Sequence, residues 1–264
     1  GIDLNPIQAV YEKNAAEWPN RDIKGPQLRI GSQLTSVEPY IEAIQKVKPL
    51  VREMKSKYEG MKFFSIGGGI GIVYKQSLDS GSPDWWSQEG NESHPLTIQA
   101  YAGAVVPLLE DLGLRILLEP GRFMVGNAGV LLTRMVYEKR GSAKTFKIVD
   151  AAMNDLIRPT LYEGWHQIAP VVKPDGDTAE LTDVVGPICE TGDYLAQNRE
   201  LPPVQAGDLL AVMSAGAYGF AMASNYNTRP MPAEILVSGS VAHLVRERQT
   251  LEDLVRGEHV PAVL

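Results

Sequence analysis

The sequence predicts two regions of different fold class, an α/β region over residues 1–136 and a mostly β, sandwich- or barrel-like region over residues 137–264. The first region alternates segments of helical periodicity with continuous apolar strands, such as "KFFSI" (62–66) and "LRILL" (114–118). Strands that are apolar on both faces are typical of parallel βα units. The second region contains short strand-like pieces separated by Gly, Pro and Asp, which favours a separate sheet-rich domain.

The helices of the first region follow from the spacing of apolar residues. Such residues recur at helical spacing over 37–58, which predicts one amphipathic helix that is kinked or broken at Pro49. Residues 97–113 predict another helix, and Asn5, followed by Pro6, is expected to cap the first one. The polar segment 77–95 is predicted to be a long loop.

Composition excludes several classes of function. The net charge of −7 and the pI of about 5.2 argue against nucleic acid or an anionic membrane surface as the main partner. A single cysteine, Cys189, allows no internal disulfide and favours a reducing, cytoplasmic setting. The longest nearly apolar run, residues 209–223, is too short for a membrane span, and no signal peptide opens the chain.

Three strands of the first region end in unusual residues: Gly31-Ser32, Gly67-Gly68-Gly69 and Glu119-Pro120-Gly121-Arg122. In a (β/α)₈ barrel the carboxyl ends of the strands form one face, where active sites lie. Glycines allow backbone N–H groups to approach phosphate oxygens. Ser32 adds a hydroxyl, and Arg122 adds a fixed positive fork. Taken together, these strand ends indicate a phosphate-binding face.

Simpler interpretations of the same residues remain open. A glycine-rich turn is often only a turn, and "GGGIG" does not fit the G-x-G-x-x-G dinucleotide pattern, because Ile72 and Tyr74 stand where a third glycine is needed. The four histidines, His94, His166, His243 and His259, show no metal-ligand spacing, so no metal site is predicted.

The second region has its own candidates. "DLIRPTLY" (155–162) contains Arg158 and Tyr162, which reach one ligand if a turn or helix brings them together; otherwise Arg158 lies on a solvated face. Cys189, followed by Glu190, is either a small buried apolar residue or a catalytic group.

Six motifs in order carry a resemblance over essentially the whole chain: "IGSQ" (30–33), "GGGIG" (67–71), "EPGR" (119–122), "DLIRPTLY" (155–162), "CETGD" (189–193) and "GAYGFAMASNYNTRP" (216–230). The sequence resembles the diaminopimelate decarboxylases, fold-type III pyridoxal-phosphate enzymes related to alanine racemase and ornithine decarboxylase. The resemblance implies the C-terminal part of a (β/α)₈ TIM-type barrel followed by the β domain. It also implies decarboxylation of meso-diaminopimelate to L-lysine with pyridoxal 5'-phosphate.

The resemblance also assigns cofactor-binding residues. Ser32, Gly69, Gly121 and Arg122 are expected around the phosphate, with Pro120 in the same turn. Glu119 is expected to pair with the pyridinium nitrogen, because a protonated ring is the better electron sink. Tyr218 is expected to contact both cofactor and substrate.

Substrate recognition and proton transfer are implied in the same way. Arg158 suits the distal carboxylate of diaminopimelate and Glu190 its distal ammonium, with Tyr162 and Arg122 also at the substrate. Cys189 is expected to return a proton to the α-carbon within the site of the other subunit of a homodimer.

The sequence departs from the family pattern in two places. Arg29 stands where the family usually has a histidine that stacks on the cofactor. No lysine has the setting of the Schiff-base lysine, and "GIDLNP" resembles the tail of the family's "KFGI" motif, so the first third is expected to be missing and these 264 residues alone to be inactive. A decarboxylase of another diamino acid, or a non-catalytic binding module derived from the family, remains the alternative.

Overall fold

The computed structural model describes residues 1–17, 20–75, 96–172, 174 and 178–262. These residues form two compact units, one of residues 1–73 and 96–124 and one of Tyr74, Lys75 and residues from 125 onward. The loop predicted over 77–95, including His94, lies outside the described residues.

The first unit consists of helices and short strands in alternation. In chain order they are α1 (Leu4–Glu17), α2 (Glu38–Lys57), β1 (Phe63–Ser65), α3 (Ile98–Leu109), a 3₁₀ turn (Glu110–Leu112), β2 (Arg115–Leu117) and α4 (Gly121–Val125). β1 pairs with β2 in parallel, and parallel bridges join Gln27 to Ser65 and Leu34 to Ile70. The parallel pairing predicted for this region is therefore confirmed.

The long amphipathic helix is confirmed as α2, whose apolar stripe is buried in the core of this unit. Tyr40, Ile44 and Val51 of α2 are fully buried, as is Phe64 of β1. The helix continues through Pro49 rather than ending there, because the packing of this stripe outweighs one lost backbone hydrogen bond.

The start of α1 differs from the prediction. The helix begins at Leu4, so Asn5 lies inside it and not at the N-cap. Pro6 fits this position, because the N–H groups of the first helical turn have no partner within the helix.

The second unit is rich in strands, in agreement with the sheet-rich domain that the sequence predicts. Its strands are β3 (Leu131–Arg140), β4 (Thr145–Val149), β5 (Ile168–Pro170), β6 (Glu180–Val185), β7 (Tyr194–Leu201), β8 (Leu209–Val212), β9 (Glu234–Ser238) and β10 (Val241–Arg246). Its helical segments are α5 (Arg158–Tyr162), α6 (Leu251–Leu254) and 3₁₀ turns at Gly126–Ala128, Phe220–Met222 and Tyr226–Thr228.

Six of these strands form one sheet in the order β5-β8-β3-β4-β6-β7. Only the β4–β6 pair is parallel among the pairs of this sheet. The two end strands, β5 and β7, approach each other, so the sheet is nearly closed. Its interior is apolar, with Leu156, Val184 and Leu210 fully buried. β9 and β10 form a separate antiparallel hairpin.

β3 links the two halves of this sheet. Leu131 to Arg134 pair with β8, and the following residues pair with β4. The strand therefore runs across residues 136 and 137, where the sequence pattern placed a domain boundary, and the compact unit takes in residues from 125 onward. Among the described residues, no helix combines the length and the apolar character that crossing a membrane requires.

Candidate active site

The glycine segment after β1 lies directly against the turn that follows β2. Gly67 and Gly69 have φ of +71° and +91°, a backbone conformation that residues other than glycine rarely adopt. The N–H of Glu119 donates to the carbonyl of Gly67 at 2.9 Å. A Cβ at Gly68 would collide with the carbonyl oxygen of Glu119. Glycine is therefore required for these two strand ends to meet.

The loop at Gly31-Ser32 packs against the same glycine segment. A Cβ on Gly69 would lie 2.6 Å from the carbonyl oxygen of Gly31, so the two backbones are in close contact. Arg122 donates from Nη2 to Oγ of Ser32 at 3.1 Å. The structure thus brings together Ser32, Gly69 and Arg122. Gly69 and Arg122 follow β1 and β2, whereas the strand predicted before Gly31-Ser32 is reduced to isolated bridges at Gln27 and Leu34. Among the residues that the structure describes, no atom lies within 4 Å of a Cβ built on Gly121, so these residues leave open space beside it.

Glu119 lies at the edge of this cluster and is held by two side chains that the sequence analysis missed. Its Oε1 accepts from Nε2 of Gln27 at 2.6 Å and from Oγ of Ser65 at 3.0 Å. The signal for Ser65 was a polar residue inside an otherwise apolar strand. Pro120 follows in the turn, and its carbonyl accepts from the N–H of Met124 in α4.

Arg158 begins α5 in the second unit and is 6% exposed, so it does not lie on a solvated face. Its Nη1 lies 2.6 Å from Nε2 of the fully buried His166, and its guanidinium stacks on the ring of Tyr74 at 4.5 Å from the centroid. Tyr162 lies one turn further along α5 and is exposed. The short helix therefore supplies one buried cation and one accessible phenol.

The segment with Cys189 and Glu190 is a tight loop that Asp193 holds. The buried Asp193 carboxylate accepts from the N–H of Ile188 at 2.6 Å and from the N–H of Met153 at 2.7 Å. Thr160 also donates to the carbonyl of Gly192. Cys189 itself is exposed, so the interpretation of this residue as a small buried apolar residue is wrong. The sequence showed Asp193 close to Cys189 but not its link to Met153.

Glu190 has a partner that sequence reasoning did not identify. The hydroxyl of Tyr226 donates to Oε2 of Glu190 at 3.2 Å, and this hydrogen bond raises the pKa of Tyr226. Tyr218, in the same glycine-rich segment, is exposed and has a left-handed φ of +59°. Backbone in this region costs about 1–3 kcal/mol at a residue other than glycine and is often found at functional sites.

Arg229 fixes the end of that segment. Its Nε donates to Oδ1 of Asn154 at 2.9 Å, and its Nη2 donates to the carbonyl of Asp150 at 2.5 Å. Burial raises the pKa of the neighbouring Asp155 carboxyl, an effect that its hydrogen bond from the N–H of Ala152 and the charge of Arg229 oppose.

Comparison with known proteins identifies the family. The family model described as "Pyridoxal-dependent decarboxylase, C-terminal sheet domain" matches residues 9–216. The chain belongs to the pyridoxal-dependent decarboxylases. It is 45% identical over 258 residues to the diaminopimelate decarboxylase of Pseudomonas aeruginosa, covering 98% of this chain and 58% of that protein.

Solved structures agree with this assignment. The diaminopimelate decarboxylase of M. jannaschii in complex with L-lysine is 33% identical, with a TM-score of 0.86 over 100% of this chain and 58% of that one. The Helicobacter pylori enzyme complexed with L-lysine is 36% identical, with a TM-score of 0.79 over 93% of this chain and 58% of that one. The chain thus spans somewhat more than half the length of the relatives that it matches.

The cluster in the first unit fits the cofactor after which this family is named. A phosphate is bound by a cation, a hydroxyl and backbone N–H groups that can approach its oxygens. Arg122 supplies the cation, Ser32 the hydroxyl and Gly69 the accessible backbone. The open space beside Gly121 leaves room for a ligand. Glu119, an exposed carboxylate fixed by two hydrogen bonds, suits a protonated ring nitrogen. Arg29 is also exposed.

Proposed function

We propose that the protein decarboxylates meso-2,6-diaminopimelate to L-lysine and CO₂ with pyridoxal 5'-phosphate, as the names of its relatives suggest. The observation that carries the proposal is the cluster of Ser32, Gly69 and Arg122 beside Glu119, in a chain 45% identical to such an enzyme. The parallel βα arrangement of the first unit supports its assignment to a (β/α)₈ barrel.

The residues of the first unit bind and tune the cofactor in this proposal. Ser32, Gly69, Gly121 and Arg122 would hold the phosphate through a hydroxyl, close backbone and a guanidinium. When bound, the cofactor supplies the electron sink that allows a carboxylate to leave as CO₂. Glu119 would hold a proton on the ring nitrogen, and its hydrogen bonds from Gln27 and Ser65 fix the carboxylate for that task.

The residues of the second unit recognise the substrate and return the proton. Arg158 binds the distal carboxylate and Glu190 the distal ammonium, with Tyr162 and Tyr218 as further contacts. Cys189 donates the proton that replaces the lost carboxylate on the α-carbon, and its exposure suits a group that acts in the site of a partner subunit. The protein is accordingly a homodimer with shared sites. A single cysteine accords with a reducing, cytoplasmic location.

Substrate comparison tests the proposal. The full-length gene product that carries residues 1–264 is supplied with pyridoxal phosphate and assayed for CO₂ release from meso-diaminopimelate, L-ornithine and L-lysine. We expect turnover of diaminopimelate alone, because ornithine and lysine lack the distal carboxylate that Arg158 binds. Preference for ornithine or lysine would indicate a different decarboxylase. Cofactor binding without turnover of any of the three would indicate a binding module.

A further inference from the structure

Residues 150–157, the β4–α5 connection, hold both of the segments that carry Glu190 and its partner Tyr226. On one side, the N–H of Met153 donates to Oδ1 of Asp193 at 2.7 Å and thereby fixes the loop that contains Glu190. On the other side, the next residue, Asn154, binds the segment that contains Tyr226. Two neighbouring residues therefore set the distance between the two segments.

The segment of residues 224–229 is bound to this connection at both of its ends. The carbonyl of Asn154 accepts from the N–H of Ser224 at 3.0 Å, and its Nδ2 donates to the carbonyl of Ser224 at 3.2 Å. At the other end, Arg229 donates to Oδ1 of Asn154 and to the carbonyl of Asp150. Asn154 is 2% exposed, so these bonds are shielded from water.

Between its two ends the segment has an unusual backbone. Asn227 and Thr228 both have a left-handed φ of 58°, which is especially unfavourable for the β-branched Thr228. Such a conformation persists only where the surrounding structure imposes it, and it is often found at functional sites. Asn225 contributes one of the contacts that impose it, because its Nδ2 donates to the carbonyl of Arg229 at 2.8 Å. Tyr226 is thus presented by a tight, fixed turn.

The hydroxyl of Tyr226 contacts Glu190 from this turn. It lies 3.2 Å from Oε2, and the N–H of Gly192 lies 3.4 Å from Oε1, so each carboxylate oxygen accepts from one donor. An ionised carboxylate only accepts, so Tyr226 must donate. This hydrogen bond raises the pKa of Tyr226, which keeps its hydroxyl protonated at neutral pH. Since a carboxylate can accept at about four positions, the two bonds from the described residues leave capacity for an ammonium group.

We propose that Tyr226 is a positioning residue that holds the carboxylate of Glu190 in place for the distal ammonium of the substrate, with the β4–α5 connection as the common support of both side chains. This inference rests on the proposed function, in which Glu190 binds that ammonium. An exposed glutamate side chain samples several rotamers, and fixing it when the substrate binds costs affinity. Tyr226 fixes it beforehand and so strengthens recognition of the ammonium specifically.

Three variants isolate the contribution of the hydroxyl. Tyr226→Phe removes one oxygen atom and keeps the ring, and Tyr226 is 49% exposed, so the variant should fold. Tyr137→Phe makes the same change at an exposed tyrosine of β3 and is the matched control. Glu190→Ala removes the carboxylate through which Tyr226 acts, so Tyr226→Phe should have no further effect in that background.

Two ligands of the full-length gene product, loaded with pyridoxal phosphate, separate recognition of the ammonium from general damage. As the product, L-lysine places its ε-amino group at the cofactor and its α-ammonium at Glu190. 6-Aminohexanoate differs from it only in lacking the α-ammonium. We expect Tyr226→Phe to raise the Kd of L-lysine, measured by calorimetry, by about 3- to 10-fold, the factor that corresponds to one net hydrogen bond. The Kd of 6-aminohexanoate should stay unchanged.

Each outcome bears on one of the two proposals. A wild-type protein that does not turn over diaminopimelate contradicts the proposed function, and the role of Tyr226 falls with it. If the wild type is active but Tyr226→Phe binds L-lysine as tightly as Tyr137→Phe does, only the role of Tyr226 is wrong. An equal loss of affinity for both ligands would show a general structural role and overturn the inference. A further loss of L-lysine affinity caused by Tyr226→Phe in the Glu190→Ala background would overturn it as well.

Discussion

Gly69→Ala tests whether the three loop segments that contain Ser32, Gly69 and Arg122 act together as a phosphate site. Gly69 has a φ of +91°, and a new Cβ would lie 2.6 Å from the carbonyl oxygen of Gly31. The backbone strain costs about 1–3 kcal/mol. The contact adds about 1–3 kcal/mol, because the backbone of Gly31 must shift to relieve it. We expect that shift to displace Ser32 from its present position, where its hydroxyl lies 3.1 Å from Nη2 of Arg122.

The expected loss of cofactor affinity follows from the displacement of Ser32, whose hydroxyl would no longer donate to the phosphate in the proposed site. A hydrogen bond to a charged group contributes about 1.5–3 kcal/mol, so the Kd of pyridoxal phosphate should rise by about 10-fold or more. Absorbance titration of the full-length gene product measures this Kd, and urea denaturation measures the stability of the same variant.

Gly113→Ala is the control in the same unit. Gly113 also has a positive φ of +58°, but its new Cβ would meet only Nζ of Lys55, the far end of a flexible side chain. We expect it to lose stability through backbone strain and through displacement of the Lys55 ammonium from the carbonyls of Leu112 and Gly113, and to keep its cofactor affinity. If Gly69→Ala binds pyridoxal phosphate as tightly as Gly113→Ala does, Gly69 and Ser32 do not hold the phosphate.

Three further predictions concern catalysis. Arg158→Ala should lower kcat/KM for diaminopimelate by an amount equivalent to about 2–5 kcal/mol, because the distal carboxylate loses its partner; an unchanged value would remove Arg158 from the site. Mixing a Cys189→Ala protein with one that lacks the Schiff-base lysine should recover activity through heterodimers with one intact site, and no recovery would argue against a Cys189 shared between subunits. The polypeptide of residues 1–264 expressed alone should release no CO₂, because the family's lysine motif is not among these residues. Turnover of about 1 per second or more would mean that one of the lysines among these residues forms the Schiff base.

The parts of the fold that could be predicted are those with a local signal. α2 was predictable because its buried residues, from Tyr40 to Met54, repeat with the helical period over about four turns. The approach of the glycine segment to the Glu119 turn was foreseeable as well, since glycines and polar residues ended neighbouring apolar strands. The five-residue α5 was not predictable, because it is too short to show a period.

The supporting side chains of the candidate site lay beyond sequence reasoning for another reason. His166 contacts Met213 across 47 positions, Glu190 contacts Tyr226 across 36 and Asp193 contacts Met153 across 40. Patterns of hydrophobicity and turn residues report neighbours within a few positions, so these pairings leave no trace in them. The burial of Arg158 belongs to the same class, because the ring of Tyr74, on which its guanidinium stacks, comes from a distant segment.

The double hydrogen bonding of Asp193 has a consequence for redesign of specificity. One carboxylate joins the loop that carries Cys189 and Glu190 to the segment that leads into α5. The two donors are backbone N–H groups, so the side chain at position 153 is not what the contact requires; the acid at position 193 and the path of the backbone at 153 are. A transplanted loop without an acid at position 193 would leave the N–H groups of Met153 and Ile188 without this acceptor, and exchange of residues 186–193 together with residues 151–162 transfers both halves of the contact.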